Sequence, residues 1–236
     1  MFALGLALVH LGSSLGLGEN AGKKMTDRLS ARLLLAGYAQ GIFPMAESRE
    51  NPELHWFDPA RRGIVPLENF HISRSLAKNI RRGNYSISID RDFRGVVEGC
   101  ADRDETWING PLFDLYDELH AAGFAHSLEV WQDGALAGGI FGITLGGAFF
   151  GESMFSRRTD ASKTALAYLV DRLRQGGFSL FDTQYITPHL ARMGAIEIPR
   201  LEYRARLAQA LHERGDFAAP ETPDPQSLLQ RMAQTS

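Results

Sequence analysis

Residues 126–155 read HSLEVWQDGALAGGIFGITLGGAFFGESMF: three apolar runs divided by Asp133-Gly134 and by Gly146-Gly147. Both dipeptides are strong hairpin signals, because their residues accept the left-handed backbone that tight turns require. Two hairpins in succession commit the chain to three antiparallel strands. The next segment, DASKTALAYLVDRLRQGG, carries a helical pattern, with Thr159 or Asp160 as its cap and Gly176-Gly177 as its stop. A short apolar run, FSLFDTQ, reads as a buried strand, and TPHLARMG as a helix opened by Thr187 and Pro188. A helix between strands implies a crossover, so this order predicts a mixed sheet with helices on its faces.

That pattern is the one found in acetyltransferase (GNAT)-like folds, and the expected class is α+β, with a small N-terminal α/β domain. Ahead of the hairpins, DRLSARLLLAGYAQG, HISRSLAKNIRRG, RDFRGVVEGCADR and NGPLFDLYDELHAAG read as helices and YSISI as a half-buried strand. The stretch IFPMAESRENPELHWFDPARRGIVPL holds four prolines and reads as loop. PRLEYRARLAQALHERG is the last expected helix. The expected organisation is an extension outside the fold at 1–24, a small domain at 25–90, a catalytic domain at 91–216 and a flexible Pro-rich tail at 217–236.

Composition excludes several classes. With one cysteine, Cys100, the chain can form neither an internal disulfide nor a cysteine zinc cluster. His55, His71, His120, His126 and His189 show no metal-ligand spacing, so no metal is expected. A net charge of −3 requires any nucleic-acid surface to be local. The apolar start, MFALGLALVHLGSSLGL, lacks the basic region of a signal peptide and is marginal for a membrane span, so a cytoplasmic protein is expected.

Three features carry chemistry. Glu152 stands in an otherwise apolar strand, where an unpaired buried carboxylate is costly. Its bland reading is a water-facing edge position; the neighbouring aromatics favour an acid in a cleft, facing a cation. In a regular strand Phe150, Glu152 and Met154 would share one face. Asp182 and Gln184, two apart at a strand end, would point together to the place where open α/β sheets bind ligands; a plain turn cap at Asp182 is an equal reading. The third is a basic run from Arg61 and Arg62 through Arg74, Lys78, Arg81 and Arg82. The last four share one helix face, which suits phosphate binding, although solvated faces of this kind are common. The SRRTDASKTAL turn lacks the glycines of a CoA pyrophosphate loop, since none lies between Gly151 and Gly176.

The segments GIFPMAE, HISRS, EGCADR, AHSLEVW, FFGESMFS, DASKTAL, DTQ, HLARMGA and EIPR occur in an order that resembles the leucyl/phenylalanyl-tRNA–protein transferases over residues 28–204. The resemblance implies an enzyme without cofactor that moves Leu or Phe from Leu-tRNA or Phe-tRNA to the N-terminal Arg or Lys of proteins, in the bacterial N-end rule. It implies a catalytic set of Glu152, Asp182 and Gln184, with the two acids facing the acceptor and Gln184 bonding the attacking amine. It implies an apolar pocket lined or supported by Trp107, Tyr116, Ile140, Phe149, Met154, Leu169 and Phe181. Arg74, Lys78, Arg81 and Arg82 would meet the acceptor stem. A monomer without membrane attachment is expected. The sequence departs from some members at Met45, where they carry Trp; any stack on the terminal adenosine would be weaker there or supplied by Trp56.

Overall fold

The two expected hairpins form the middle of a seven-stranded sheet. The computed structural model describes residues 30–51 and 53–233; the extension expected at 1–24 lies outside them. Strands β1 (Phe43–Ala46) and β2 (Leu54–Phe57) form a separate antiparallel ribbon. Strands β3 (Arg61–Ile64), β4 (Ser86–Ile89), β5 (Ala125–Gln132), β6 (Ala135–Leu145), β7 (Ala148–Ser156), β8 (Leu180–Gln184) and β9 (Ile196–Pro199) make the large sheet, in the order β4-β5-β6-β7-β8-β3-β9. Only β7 and β8 pair in parallel, joined by a helix at Ala161–Gln175; the other pairs are antiparallel. The sheet is therefore mixed, as the hairpins and single crossover require.

Eight α-helices and a 3-10 helix at Leu67–Asn69 complete the described residues: α1 (Ala31–Ala39), α2 (Arg74–Arg82), α3 (Phe93–Ala101), α4 (Gly110–Ala121), α5 (Ala161–Gln175), α6 (Pro188–Ala191), α7 (Arg200–Ala210) and α8 (Pro225–Ala233). Their starts follow local chemistry. Ser73, Asn109 and Thr187 each accept a hydrogen bond from a first-turn amide of α2, α4 and α6. Gly83, at φ 63°, ends α2 in the left-handed region. Helices α1, α3, α4 and α7 pack on one face of the sheet around Tyr38, Phe93, Tyr116, Phe141 and Phe150, while α2, α5 and α8 pack on the other around Phe149, Leu166, Leu169 and Phe181.

Three expectations need correction. The proline-rich loop contains β1, β2 and β3, and β9 was not foreseen either. Each is four residues long, too short to show alternation, and β3 finds its partners β8 and β9 only far along the chain. Both β3 and β4 fall within residues 25–90 yet belong to the large sheet. The tail expected to be flexible folds back: Phe217, Leu228 and Met232 are buried, and Arg231 of α8 pairs with the buried Asp171 at 3.0 Å.

Candidate functional site

Strands β7 and β8 pair over only three positions, Ala148 with Leu180, Phe149 with Phe181 and Phe150 with Asp182. Beyond these the strands part, and the space between them is a cleft of 350 Å³. Gly151 to Met154 line one side and Thr183 to Tyr185 the other; Phe43, Pro44 and Met45, Trp107, Ile140, Leu166 and Phe181 add a mostly apolar wall.

A β-bulge aims the acid. On β6, Phe141 opposes Ser153 and Gly142 opposes Gly151, which leaves Glu152 as the extra residue. The bulge also overturns the expected parity: Phe150 packs with one core cluster, whereas Met154 packs with the cluster on the opposite face. The site at Gly142 is tight, since a Cβ there would lie 2.4 Å from the Phe149 ring and from the Phe150 carbonyl oxygen. The Glu152 carboxylate accepts hydrogen bonds from Tyr38 Oη at 2.7 Å and Tyr116 Oη at 2.8 Å. Burial pushes its pKa up to about 7; the two tyrosine hydroxyls oppose the rise, Asp182 adds to it and Arg62 lowers it. Burial likewise raises the Tyr38 and Tyr116 hydroxyls well above the ordinary phenol range, so both remain donors.

Asp182 is placed differently from the expectation. It is fully buried and is absent from the cleft lining. Arg62 Nε and Nη2 grip its two oxygens at 2.8 and 2.6 Å, Tyr203 Oη donates to Oδ2 at 2.7 Å, and the Gln184 amide donates to Oδ1 at 2.8 Å. Arg62 is itself buried between the Phe43 and Tyr203 rings, each 4.5 Å away, and donates to the Gly41 carbonyl. Four donors thus occupy Asp182. A register shift opposite β3 and a left-handed backbone at Gln184, φ 58°, separate Gln184 from Asp182, so the two do not present together. Gln184 lines the cleft instead. Its buried Nε2 and the buried Thr183 Oγ1 have no hydrogen-bond partner within the protein. Buried polar groups are ordinarily satisfied, so two orphans on one cleft wall point to a ligand.

Trp107, Ile140, Met154 and Phe181 line the cleft. Tyr116 stands behind it, bonded to Glu152 and edge-on to Trp107. Phe149 supports Phe181 edge-to-face at 5.3 Å. Leu169 lies in the core and does not reach the cleft; Leu166, one turn earlier on α5, does. Trp56 is not among the lining residues: its ring lies against Gly37 of α1. Sequence reasoning missed Tyr38, Tyr203, Thr183 and Leu166, and it took Arg62 for part of a surface run. No local pattern separated the two arginines: β3 is exposed at Arg61, which pairs with Glu197, and buried from Arg62 to Ile64.

Arg74, Lys78, Arg81 and Arg82 are exposed on α2, whose Leu76 and Ile80 are buried. Among the described residues none of the four meets a carboxylate. Cys100 is buried, and burial pushes its thiol up to about 12, so a nucleophilic role does not fit. Among the described residues no group of three or more His, Cys, Asp or Glu is placed to hold a metal, and no helix is long and apolar enough to cross a membrane.

The sequence pattern described as leucyl/phenylalanyl-tRNA protein transferase matches residues 64–208, and that of the N-terminal domain of the same proteins matches residues 27–60. The chain is 69% identical over 208 residues to the leucyl/phenylalanyl-tRNA–protein transferase of a Ruegeria species, covering 88% of this chain and 99% of that one. It is 64% identical over 209 residues to the protein of the same name from Cereibacter sphaeroides, covering 88% and 98%. Among solved structures it is similar to a ribosomal-protein-alanine N-acetyltransferase from Brucella melitensis biovar Abortus 2308, at 18% identity and a TM-score of 0.33 over 46% of this chain and 85% of that one. It is also similar to L-PGS from Bacillus licheniformis, at 14% identity and a TM-score of 0.38 over 64% and 51%. Scores this low support no argument about chemistry.

Proposed function

The chain belongs to the leucyl/phenylalanyl-tRNA–protein transferase family, and from that premise we infer how the cleft serves the reaction. The enzyme is an acyltransferase that moves Leu or Phe from aminoacyl-tRNA to the N-terminal Arg or Lys of a protein. The acceptor amine attacks the ester carbonyl, the C–N bond forms, the ester C–O bond breaks, and the terminal ribose hydroxyl of the RNA leaves. The ester is already activated, so positioning does most of the work.

The observation that carries our reading is an apolar cleft that holds one half-buried carboxylate and two unpartnered polar groups. The Leu or Phe side chain occupies the wall of Ile140, Met154, Leu166 and Phe181. Glu152 meets the cationic acceptor residue, and Gln184 with Thr183 bonds the attacking amine or the ester carbonyl. Asp182 is a positioning residue: it fixes Arg62, Tyr203 and the Gln184 backbone and touches no substrate. The exposed basic face of α2 holds the phosphates of the acceptor stem, which suits an enzyme serving several tRNAs. We take the protein to act as a cytoplasmic monomer without metal or cofactor.

A CoA-dependent reading is disfavoured at the start of α5. There Ser156 Oγ accepts from the Ser162 amide, and Asp160, paired with Lys163 at 2.7 Å, sits where a pyrophosphate would bind. The test is a transfer assay with radiolabelled Leu-tRNA and peptides beginning with Arg or Ala, with acetyl-CoA as a competing donor. Label on the Arg peptide alone is expected. Label drawn from acetyl-CoA, with none from Leu-tRNA, would overturn the proposal.

A further inference from the structure

Among the described residues, many cations of this protein are held in ion pairs, and some are not. Around β3, α3 and α7 they are paired: Arg61 with Glu197, Arg94 with Glu98 and Asp117, Arg200 and Arg204 with Asp58, and Arg206 with Glu202. Near the C-terminal end of α2 they are not. Arg82, Arg91 and Arg158 are exposed and, among the described residues, meet no carboxylate. These three come from α2, from the turn after β4 and from the turn after β7, yet they line one groove of 830 Å³. Asp133 is the only acid in that lining. Converging cations from three separate elements make a locally positive channel on a chain whose net charge is −3.

The groove also holds a fixed aromatic. Trp131 Nε1 donates to Ser88 Oγ at 2.7 Å, and Ser88 Oγ donates in turn to the buried Glu129 at 2.6 Å. The Arg91 guanidinium lies 4.7 Å from the Trp131 ring centroid. A tethered indole beside Arg91, in a groove shared with Arg82 and Arg158, offers stacking and phosphate contact together, the combination that suits nucleic acid with unpaired or splayed bases. An acceptor beginning with Arg or Lys would be repelled here. Position matters as well. Met154 lines the reaction cleft, and Ser156, at the end of the same strand, lies two residues further, about 7 Å along β7. Arg158 follows in the next turn.

We propose that this groove binds the ribose-phosphate backbone of the donor RNA, extending the track of α2 past the reaction cleft, with Trp131 and Arg91 as a stacking platform. The proposal rests on the reading of the donor as an aminoacyl-tRNA. The double variant Arg91→Ala/Arg158→Ala, made in the full chain, tests it; both side chains are exposed and lie outside the reaction cleft. Retention of uncharged tRNA on filters is measured across a salt series, and leucyl transfer to an Arg peptide is measured from Leu-tRNA and from a leucyl ester of adenosine. The expected result is about ten-fold weaker tRNA binding and a salt slope smaller by about 2, as two lost phosphate contacts require. Transfer from Leu-tRNA falls in step at subsaturating donor, while transfer from the adenosine ester is unchanged. Parental tRNA affinity and slope in the variant would overturn the proposal, leaving an acidic protein surface as the groove's partner. Equal loss from both donors with tRNA affinity intact would overturn it too, placing the effect in the cleft. Should the parent transfer from neither donor, the functional reading falls, while the filter comparison still decides the groove.

Discussion

Replacing Asp182 by Asn removes a charge and keeps the shape, which separates a residue that acts on substrate from one that holds the protein. Asp182 and Arg62 are 0% and 1% exposed and bonded through two contacts of 2.8 and 2.6 Å. In Asp182→Asn the Arg62 guanidinium stays buried between Phe43 and Tyr203 without its counter-charge, and such a loss costs about 3–5 kcal/mol. Arg62→Met alone strands the carboxylate and costs a similar amount. The double variant strands neither charge. Its destabilisation should therefore fall short of the sum of the singles by about 2 kcal/mol or more, as contacting groups couple. Urea unfolding of the four proteins measures this cycle. Activity provides a second readout: Asp182→Asn lowers kcat through a displaced Gln184, and Arg62→Met/Asp182→Asn recovers part of it. A urea midpoint for Asp182→Asn equal to that of the parent, or a double variant as unstable as the sum of the singles, would refute the reasoning.

Glu152 gives a pH signature. Its folded pKa of about 7 lies above the unfolded value of about 4.3, so the folded state binds the extra proton between the two. Stability then falls as pH rises from about 4 to about 7, by about 3–4 kcal/mol in total, and Glu152→Gln should flatten that slope in urea titrations across the window. An Ile140→Phe change adds bulk to the apolar wall and should lower transfer of Phe more than of Leu, by about ten-fold in relative kcat/KM. Leu228→Ala empties a fully buried position under α8 and should cost about 2–5 kcal/mol in denaturant unfolding, against nearly nothing if the tail were frayed.

The centre of the fold was legible because its turns are written in short-range chemistry. Asp133-Gly134 and Gly146-Gly147 set the β5-β6 and β6-β7 hairpins, with Asp133, Gly134 and Gly146 all at positive φ. Gly177, at φ 77°, closes α5. The edge beyond β8 was not legible, for the opposite reason. Strand β3 enters it from early in the chain to pair with β8 and β9, and no local pattern in ARRGIV announces that pairing. Helix α8 was hidden by composition, since a Pro-rich approach masks the Leu228 and Met232 spacing that docks it.

The candidate site divides along the same line. Glu152 was visible as an anomaly, a charge inside an apolar run, and anomalies of one residue survive in sequence. Its surroundings were not visible. The two tyrosines that hold it come from α1 and α4, one of them 114 residues away, and the bulge that aims it is a register shift against β6 that alternation cannot encode. Asp182 was found for the wrong reason. Strand parity put it in the cleft beside Gln184, but its side chain is buried on the face it shares with Phe150, where Arg62 and Tyr203 complete it. A buried acid saturated by four donors is well suited to holding a backbone still and poorly suited to exchanging a proton with a substrate. The strained Gln184, held at φ 58° by that acid, is then what presents an unsatisfied amide to the cleft, and the strain belongs to the site because the Asp182 network holds it in place.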